Sequence, residues 1–427
     1  MSEFKKSINN IFMAKEYKNI INKFVKWVTL GGISGVIVGC FIALFLNSLV
    51  LGTKLREENQ WLLYLLPLGG AFVSYLYVKI GKNSIKGNNL VIEAINDGEE
   101  NIPLRMAPLV LFGTFITHLF GGSAGREGTG VQIGASISGF IGRVFKLNNI
   151  DYRILIVSGV SSGFSAVFGT PIAGTIFGLE VAAIGVMKHE ALIPCVVASF
   201  TANFTTMLFN VSHSHYNMGE RMTPSYSLFI KIVLCAIAFG LMSRVFSSLT
   251  HYLKKLLSKL FHSSSVKSFI GGIIIILLTF IVGNRIYLGL SLDLLSNSFT
   301  HEIPNSAFLW KTIFTSLTLS AGFQGGEVTP LFVIGATLGN FIAPFINLPI
   351  SFIAGLGMIG VFCGCTNTPV ASFIMGIELF GVNNLEYVFI VCIISYFFSG
   401  NGGIYSSQKA FRPTIMFKDE IEEKQIV

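Results

Sequence analysis

Between Gly121 and Gly134 the chain reads Gly121-Gly-Ser-Ala-Gly-Arg-Glu-Gly-Thr-Gly-Val-Gln-Ile-Gly134, which sets one carboxylate, Glu127, beside Arg126 and between glycines. The glycines let the backbone turn tightly, and the Gly-Val-Gln-Ile-Gly-Ala run that follows reads as the start of a helix. A helix N-terminus exposes unpaired N–H groups and carries about half a unit of positive charge, so it attracts anions. Glu127 is an anion tethered at such a place. Inside a membrane a carboxylate is expensive and by default functional. Burial favours its neutral form and the helix end its ionised form, which suits a group that alternates between occupying an anion site and leaving it with a proton. The other reading is a buried Arg126–Glu127 pair that braces the loop, and this segment alone supports both.

Gly325-Gly-Glu-Val-Thr-Pro330 repeats the pattern of a Gly-rich turn opening a helix, with proline suited to the first helical turn. Glu327 and Glu378 are the only charges between Lys311 and Glu386. Glu327 is a candidate for proton handling or a hydrogen-bonded structural carboxylate, and Thr329 a hydroxyl donor to an anion or a cap. Gly87-Asn-Asn-Leu90 gives a third helix start, where the amides of Asn88 and Asn89 either donate to an anion or cap the helix. Tyr405, in Gly402-Gly-Ile-Tyr-Ser, reads as a phenol donor to the same site or as an interfacial anchor. His213 and His215 form an H-x-H on a polar loop, but no further ligand accompanies them, so no metal site is expected.

The elements that position these residues are membrane spans. Of 427 residues, 52% are apolar and 12% charged, and mean hydropathy is +0.68. A soluble domain carries about 25% charge, so the composition excludes a cytosolic enzyme, a disordered chain and a disulfide-stapled secreted module. Trp27–Val50, Leu62–Val78, Ile154–Leu179, Ala191–Asn210, Ser268–Asn284 and Tyr387–Gln408 are uncharged, and Trp27–Val50 is long enough for a crossing, which needs roughly 20 residues. The uncharged run Val328–Ile377 is too long for one crossing and is broken by Pro330, Pro344, Pro349 and Pro369. Broken helices survive in lipid only where protein or a watery cavity satisfies the freed backbone groups, which points to an internal pathway. The six cysteines sit in apolar stretches and read as buried small apolar residues. Net charge is +8, with basic clusters at the start, around Arg244–Lys267 and at the end. These clusters flank apolar spans without interleaved stacking aromatics, so they indicate cytoplasmic ends and not nucleic acid.

The two halves repeat. Phe168-Gly-Thr-Pro-Ile-Ala-Gly-Thr-Ile-Phe-Gly-Leu-Glu180 matches Thr366-Asn-Thr-Pro-Val-Ala-Ser-Phe-Ile-Met-Gly-Ile-Glu378, with Glu nine positions after Pro in both. Gly125…Ile133-Gly-Ala135 echoes Gly326…Ile334-Gly-Ala336. Glu180 and Glu378 read as caps or braces of the repeat helices. The division expected is a basic cytoplasmic segment over 1–26, one transmembrane repeat over 27–215, a second over 216–411 and a short cytoplasmic tail over 412–427. Duplicated halves fit transporters whose sites lie where half-helix ends meet near the midplane. No H-E-x-x-H appears, and neither an enzyme activity nor a catalytic residue, cofactor or metal is expected.

Together these residues resemble the CLC family of chloride channels and anion/proton antiporters, over about Trp27 to Arg412. Gly125-Arg-Glu-Gly-Thr-Gly-Val-Gln is similar to the family's G-R-E-G-P signature, with Thr129 at the usual proline. Gly87-Asn-Asn-Leu-Val91 stands where members carry G-S-G-I-P, and Gly325-Gly-Glu-Val-Thr-Pro330 where they carry G-x-F-x-P. The chloride-contacting serine is replaced by Asn88 or Asn89, the phenylalanine by Val328, and the internal proton-transfer glutamate position by Val181. This set is similar to the CLC-F branch, the bacterial fluoride/proton antiporters, many of which carry Met where this chain has Asn88.

The resemblance implies an all-α polytopic membrane protein of two inverted helical repeats with broken helices meeting at a central anion site. It implies gating and proton transfer by Glu127 and Glu327, and anion binding by Asn88, Asn89, Gly125, Arg126, Gly128, Thr129, Val328, Thr329 and Tyr405. It further implies fluoride and protons as transported ions, a lipid bilayer and a homodimer as partners, and the cell membrane as location with both termini cytoplasmic. A chloride/proton antiporter or a passive anion channel on the same fold is the alternative.

Overall fold

The computed structural model describes residues 2–98, 101–214 and 216–410, with side chains from residue 16 onward. The basic tail with Arg412, Lys418 and Lys424, and His215 of the H-x-H pair, lie outside the described residues. The first half contains α1 (Ser2–Glu58), α2 (Leu66–Leu76), α3 (Asn88–Asn96), α4 (Met106–Leu119), α5 (Glu127–Val144), α6 (Asn149–Phe168), α7 (Pro171–Glu180) and α8 (Leu192–Leu208). The second contains α9 (Tyr226–Leu260), α10 (Ser264–Val282), α11 (Leu292–Asn297), α12 (Ala307–Ser320), α13 (Val328–Ile342), α14 (Ile350–Thr366), α15 (Pro369–Phe380) and α16 (Leu385–Ser399). Among the described residues, six helical stretches are long and apolar enough to cross a bilayer. Their outer faces leave Leu208, Ile281 and Leu277 uncovered, the pattern of a surface solvated by lipid. The sequence division at residue 26 has no counterpart in the backbone, because α1 runs through it unbroken. The division at 215 falls between the end of α8 and the start of α9.

Proline and glycine cut the long apolar runs where the sequence places them. Val328–Ile377 becomes three helices: Pro330 sits in the first turn of α13, Pro349 caps α14 and Pro369 opens α15. The run Ile154–Leu179 divides at Gly169, in a left-handed conformation, with Pro171 starting α7. Tyr387–Gln408 is helical only to Ser399, and Gly400 at φ +71° ends α16. Cys40 departs from the expected burial and faces outward on α1; the other five cysteines are buried.

Equivalent helices of the halves pack alike. Helices α5 and α6 touch backbone to backbone, and so do α13 and α14. A Cβ on Gly134 would lie 2.0 Å from the Gly159 carbonyl, and one on Gly335 would lie 2.1 Å from the Gly357 carbonyl. Such approach replaces the missing hydrophobic drive between helices in lipid by van der Waals contact.

The halves are joined antiparallel. Gly125 and Gly326 form an isolated antiparallel bridge, with N–H···O distances of 2.6 and 2.8 Å. Farther along, the Glu180 carboxylate at the end of α7 accepts from Val370 and Ala371 N–H, at the start of α15, at 3.1 and 2.8 Å. The Glu378 carboxylate at the end of α15 accepts from Ile172 and Ala173 N–H, at the start of α7, at 3.0 and 2.7 Å. Each helix end therefore caps the opposite helix's start, which only an antiparallel pair allows. The same operation exchanges Gly125 with Gly326 and Glu180 with Glu378, so the repeats are inverted. Both glutamates serve as the braces that the sequence suggested, across the halves instead of within them.

Candidate functional site

The Gly125–Gly326 bridge brings two Gly-rich turns together, and each opens a helix, α5 or α13, on its far side. Glu127 is the first residue of α5 and is fully buried. Its carboxylate does not stay on its own helix. One oxygen accepts from Thr329 N–H at 2.9 Å and from Arg126 N–H at 3.0 Å. The other accepts from the Thr329 hydroxyl. The negative group thus sits on the N-terminus of α13, where the helix has free donors. Arg126 Nε stands 3.8 Å from the same carboxylate and makes no hydrogen bond. The bracing-pair reading therefore lacks its side-chain hydrogen bond, and two of the three donors that hold Glu127, both on Thr329, belong to the other half of the molecule.

Glu327 holds the N-cap position of α13 on the other side of the bridge; the residue is half-buried, and its buried Oε2 lacks any hydrogen-bond partner. It lines a cavity of about 240 Å³ together with Gln132, Gln324, Asn88, Tyr405 and Lys254. We call this side inner, after Lys254 and Lys267 at its mouth. Asn88 begins α3 behind Gly87 at φ +59°. Its amide reaches the central turn, since a Cβ on Gly128 would meet Asn88 Nδ2 at 2.7 Å and Glu327 Oε2 at 3.5 Å. Asn88 Oδ1, Gln132 Oε1 and Tyr77 OH, like Glu327 Oε2, are buried without partners and border this cavity. Buried polar atoms rarely stay unsatisfied, so a cluster of them around one space marks a place for water or a polar ion.

The remaining expected ligands divide. Val328 and Thr329 supply the first turn of α13, and Gly125, Arg126 and Gly128 line the central turn. Tyr405 is buried at the cavity, held by Ile404 N–H to Cys365 O at 2.9 Å and by His251 Nε2 to Gly403 O at 2.9 Å. Two side chains turn elsewhere. The Thr129 hydroxyl pairs with that of Thr114 at 2.7 Å, because helical phase points it at α4, so only its backbone faces the turn. Asn89 Oδ1 accepts from Ser407 N–H at 3.1 Å, which makes it a support of the Tyr405 loop. Position i+1 on a helix faces a different neighbour from position i, and this separates Asn89 from Asn88.

Sequence reasoning passed over Gln132 and Gln324, whose amides line the inner cavity. Gln132 was legible as a polar residue five positions after Glu127 in an otherwise apolar helix start. Two G-x-S-x-G strings also occur, Gly121–Gly125 and Gly159–Gly163. Ser123 Oγ meets Lys311 Nζ and Thr315 Oγ1, and Ser161 Oγ donates to the Thr175 carbonyl.

On the side opposite the inner cavity, Arg126 borders a vestibule of about 760 Å³ walled by Arg56, Arg285, Ser291 and Asp293. Two vestibules, a constriction made of opposed helix starts, and a carboxylate seated on one of them define an inverted-repeat membrane protein with a central anion-binding point. The family model described as voltage gated chloride channel matches residues 69–400, and the chain belongs to that family, the CLC proteins. It is 41% identical to the "Chloride/fluoride channel protein" of Pseudomonas syringae pv. tomato over 404 residues, 93% of this chain and 89% of that one. It is 25% identical to the "H(+)/Cl(-) exchange transporter ClcA" of Vibrio cholerae over 428 residues, covering 90% of this chain and 89% of that one. Among solved structures, one described as a CLC-type fluoride/proton antiporter superposes with a TM-score of 0.88 at 37% identity, covering 90% of this chain and 98% of that one.

Proposed function

We propose that this chain is a CLC-type anion/proton antiporter that exports fluoride in exchange for protons. The observation that carries the reading is the Glu127 carboxylate bound by the Thr329 N–H, the Thr329 hydroxyl and the Arg126 N–H. Those donors suit any small anion, and a carboxylate and a fluoride cannot share them. Protonation removes the charge that holds Glu127 on α13, so the side chain leaves with its proton and the anion takes its place. Return of the ionised side chain expels the anion. One seat with two exclusive occupants couples the two fluxes.

The donors are compatible with fluoride, and the names of the relatives support it. It is small and strongly hydrated, so a dry site must replace its water with several directed donors. Asn88, Thr329, Tyr405 and the first N–H groups of α13 supply them, with Val328 and the glycines allowing close approach. Glu327, on the inner side of the same turn, is the second proton-handling group. The names of the Pseudomonas relative and of the antiporter structure both include fluoride. The basic clusters beside the spans support cytoplasmic termini and a cell-membrane location, and the proposal includes a homodimer with one pathway per subunit, as the family resemblance implies. The protein performs transport and no covalent chemistry.

The test is efflux from proteoliposomes loaded with fluoride or chloride, with external pH recorded. Fluoride efflux that alkalinises the outside and greatly exceeds chloride efflux is expected, with Glu127→Gln abolishing the pH change. Equal efflux of both anions removes the fluoride assignment, and an unchanged proton flux in Glu127→Gln removes the coupling mechanism.

A further inference from the structure

Lys311 lies on α12 and is fully buried. Its Nζ meets four oxygens: Ser123 Oγ at 3.0 Å, the Tyr287 carbonyl at 3.2 Å, the Gly289 carbonyl at 2.9 Å and Ser291 Oγ at 2.9 Å. Among the described residues, no carboxylate comes within ion-pair reach of it. The two carbonyls accept only, so the cage asks for donors, which an ammonium supplies. A buried unpaired cation is heavily disfavoured unless something compensates it, and the place of this one suggests the compensator.

Ser123 stands four residues before Glu127, in the loop that carries it. The loop is tied to α12 twice more, by Ser123 N–H to Thr318 Oγ1 at 3.2 Å and by Ser123 Oγ to Thr315 Oγ1 at 2.9 Å. On the other side of Lys311, Leu288 and residues 290–294 wall the outer vestibule, and Ser291 is held at φ +57°, a conformation that non-glycine residues seldom keep without support. Arg56 adds a second cation, donating to the His118 carbonyl at 3.0 Å. His118, also fully buried, sets one ring nitrogen 3.1 Å from the Ala124 carbonyl.

We propose that Lys311 is a positioning residue for anion transport: its ammonium pins the Glu127 loop to the wall of the outer vestibule, and its unpaired charge is balanced by whichever anion occupies the central seat. The inference rests on the reading of that seat as an anion site. Four residues of chain span at most about 14 Å. That bounds the Ser123–Glu127 backbone separation; for a charge separation on the order of 14 Å and an intermediate dielectric, one unit charge changes anion affinity on the order of fivefold to tenfold.

The experiment measures fluoride binding by calorimetry in a Glu127→Ala background, where no carboxylate competes for the seat. Lys311→Gln keeps N–H donors and loses the charge; Lys311→Arg keeps both. The fluoride Kd should rise five- to tenfold in Lys311→Gln and stay within about twofold in Lys311→Arg, with a melting scan on each to verify the fold. If Lys311→Gln does not fold, Lys311→Arg with a Kd raised as far as that of Lys311→Met overturns the assignment of charge. Binding unaltered by Lys311→Gln overturns the proposal alone. A Glu127→Ala protein that binds no fluoride overturns the anion-seat reading, and this inference with it.

Discussion

Competition for one set of donors makes an unusual demand on the Thr329 hydroxyl. In the structure it donates to the Glu127 carboxylate, and Thr329 N–H donates beside it. A hydrogen bond to a charged group contributes about 1.5–3 kcal/mol. Thr329→Val removes the hydroxyl and keeps the shape. With Glu127 present, both occupants of the seat lose the same bond, and the loss cancels in their competition. The apparent fluoride Kd should then change by less than about threefold, where tenfold corresponds to about 1.4 kcal/mol. With Glu127→Ala there is no competitor, and the whole loss appears as a weakening of roughly ten- to 150-fold. The assay is calorimetric titration of the four proteins of this double-mutant cycle with sodium fluoride. Equal effects of Thr329→Val in both backgrounds would mean that carboxylate and anion use different donors, and the exchange mechanism would fall. No effect in either would mean that the hydroxyl never meets the anion.

Two structural consequences can be checked by melting. Glu180→Ala leaves Val370 and Ala371 N–H without the carboxylate that caps them, and should destabilise the fold by about 1–3 kcal/mol; Glu378→Ala should do the same through Ile172 and Ala173, and a melting point unchanged in both would deny the braces any mechanical role. Gly335→Val should yield no folded protein, since even a Cβ there would lie 2.1 Å from the Gly357 carbonyl; normal expression and melting of that variant would show that α13 and α14 stand farther apart than described.

Much of the site was legible because glycine, proline and carboxylate carry local information. Glycine on both sides of Glu127 and before Glu327, with Pro330 in the following turn, declares a tight turn opening a helix wherever it occurs. The roles that stayed ambiguous in the sequence were those decided by a partner far along the chain. Glu127 has two readings in the sequence, and what decides between them is a pair of donors on Thr329, 202 positions away. Asn88 and Asn89 are indistinguishable as adjacent amides, and only helical phase sends one to the central turn and the other to Ser407. Thr129, read as an anion contact from its place in the motif, spends its hydroxyl on Thr114.

Composition and hydropathy determined that the chain lives in a membrane, since 12% charge cannot cover a water-facing surface. The spacing of glycine, proline and glutamate determined that it contains two related halves with helix starts facing inward. The handedness of their relation, and which side chains meet, were decided by tertiary structure. Antiparallel capping between α7 and α15, and the seating of Glu127 on α13, depend on distances between segments roughly 200 residues apart. Local residue preference has no reach over such separations, whereas packing of whole helices fixes them to within a hydrogen bond.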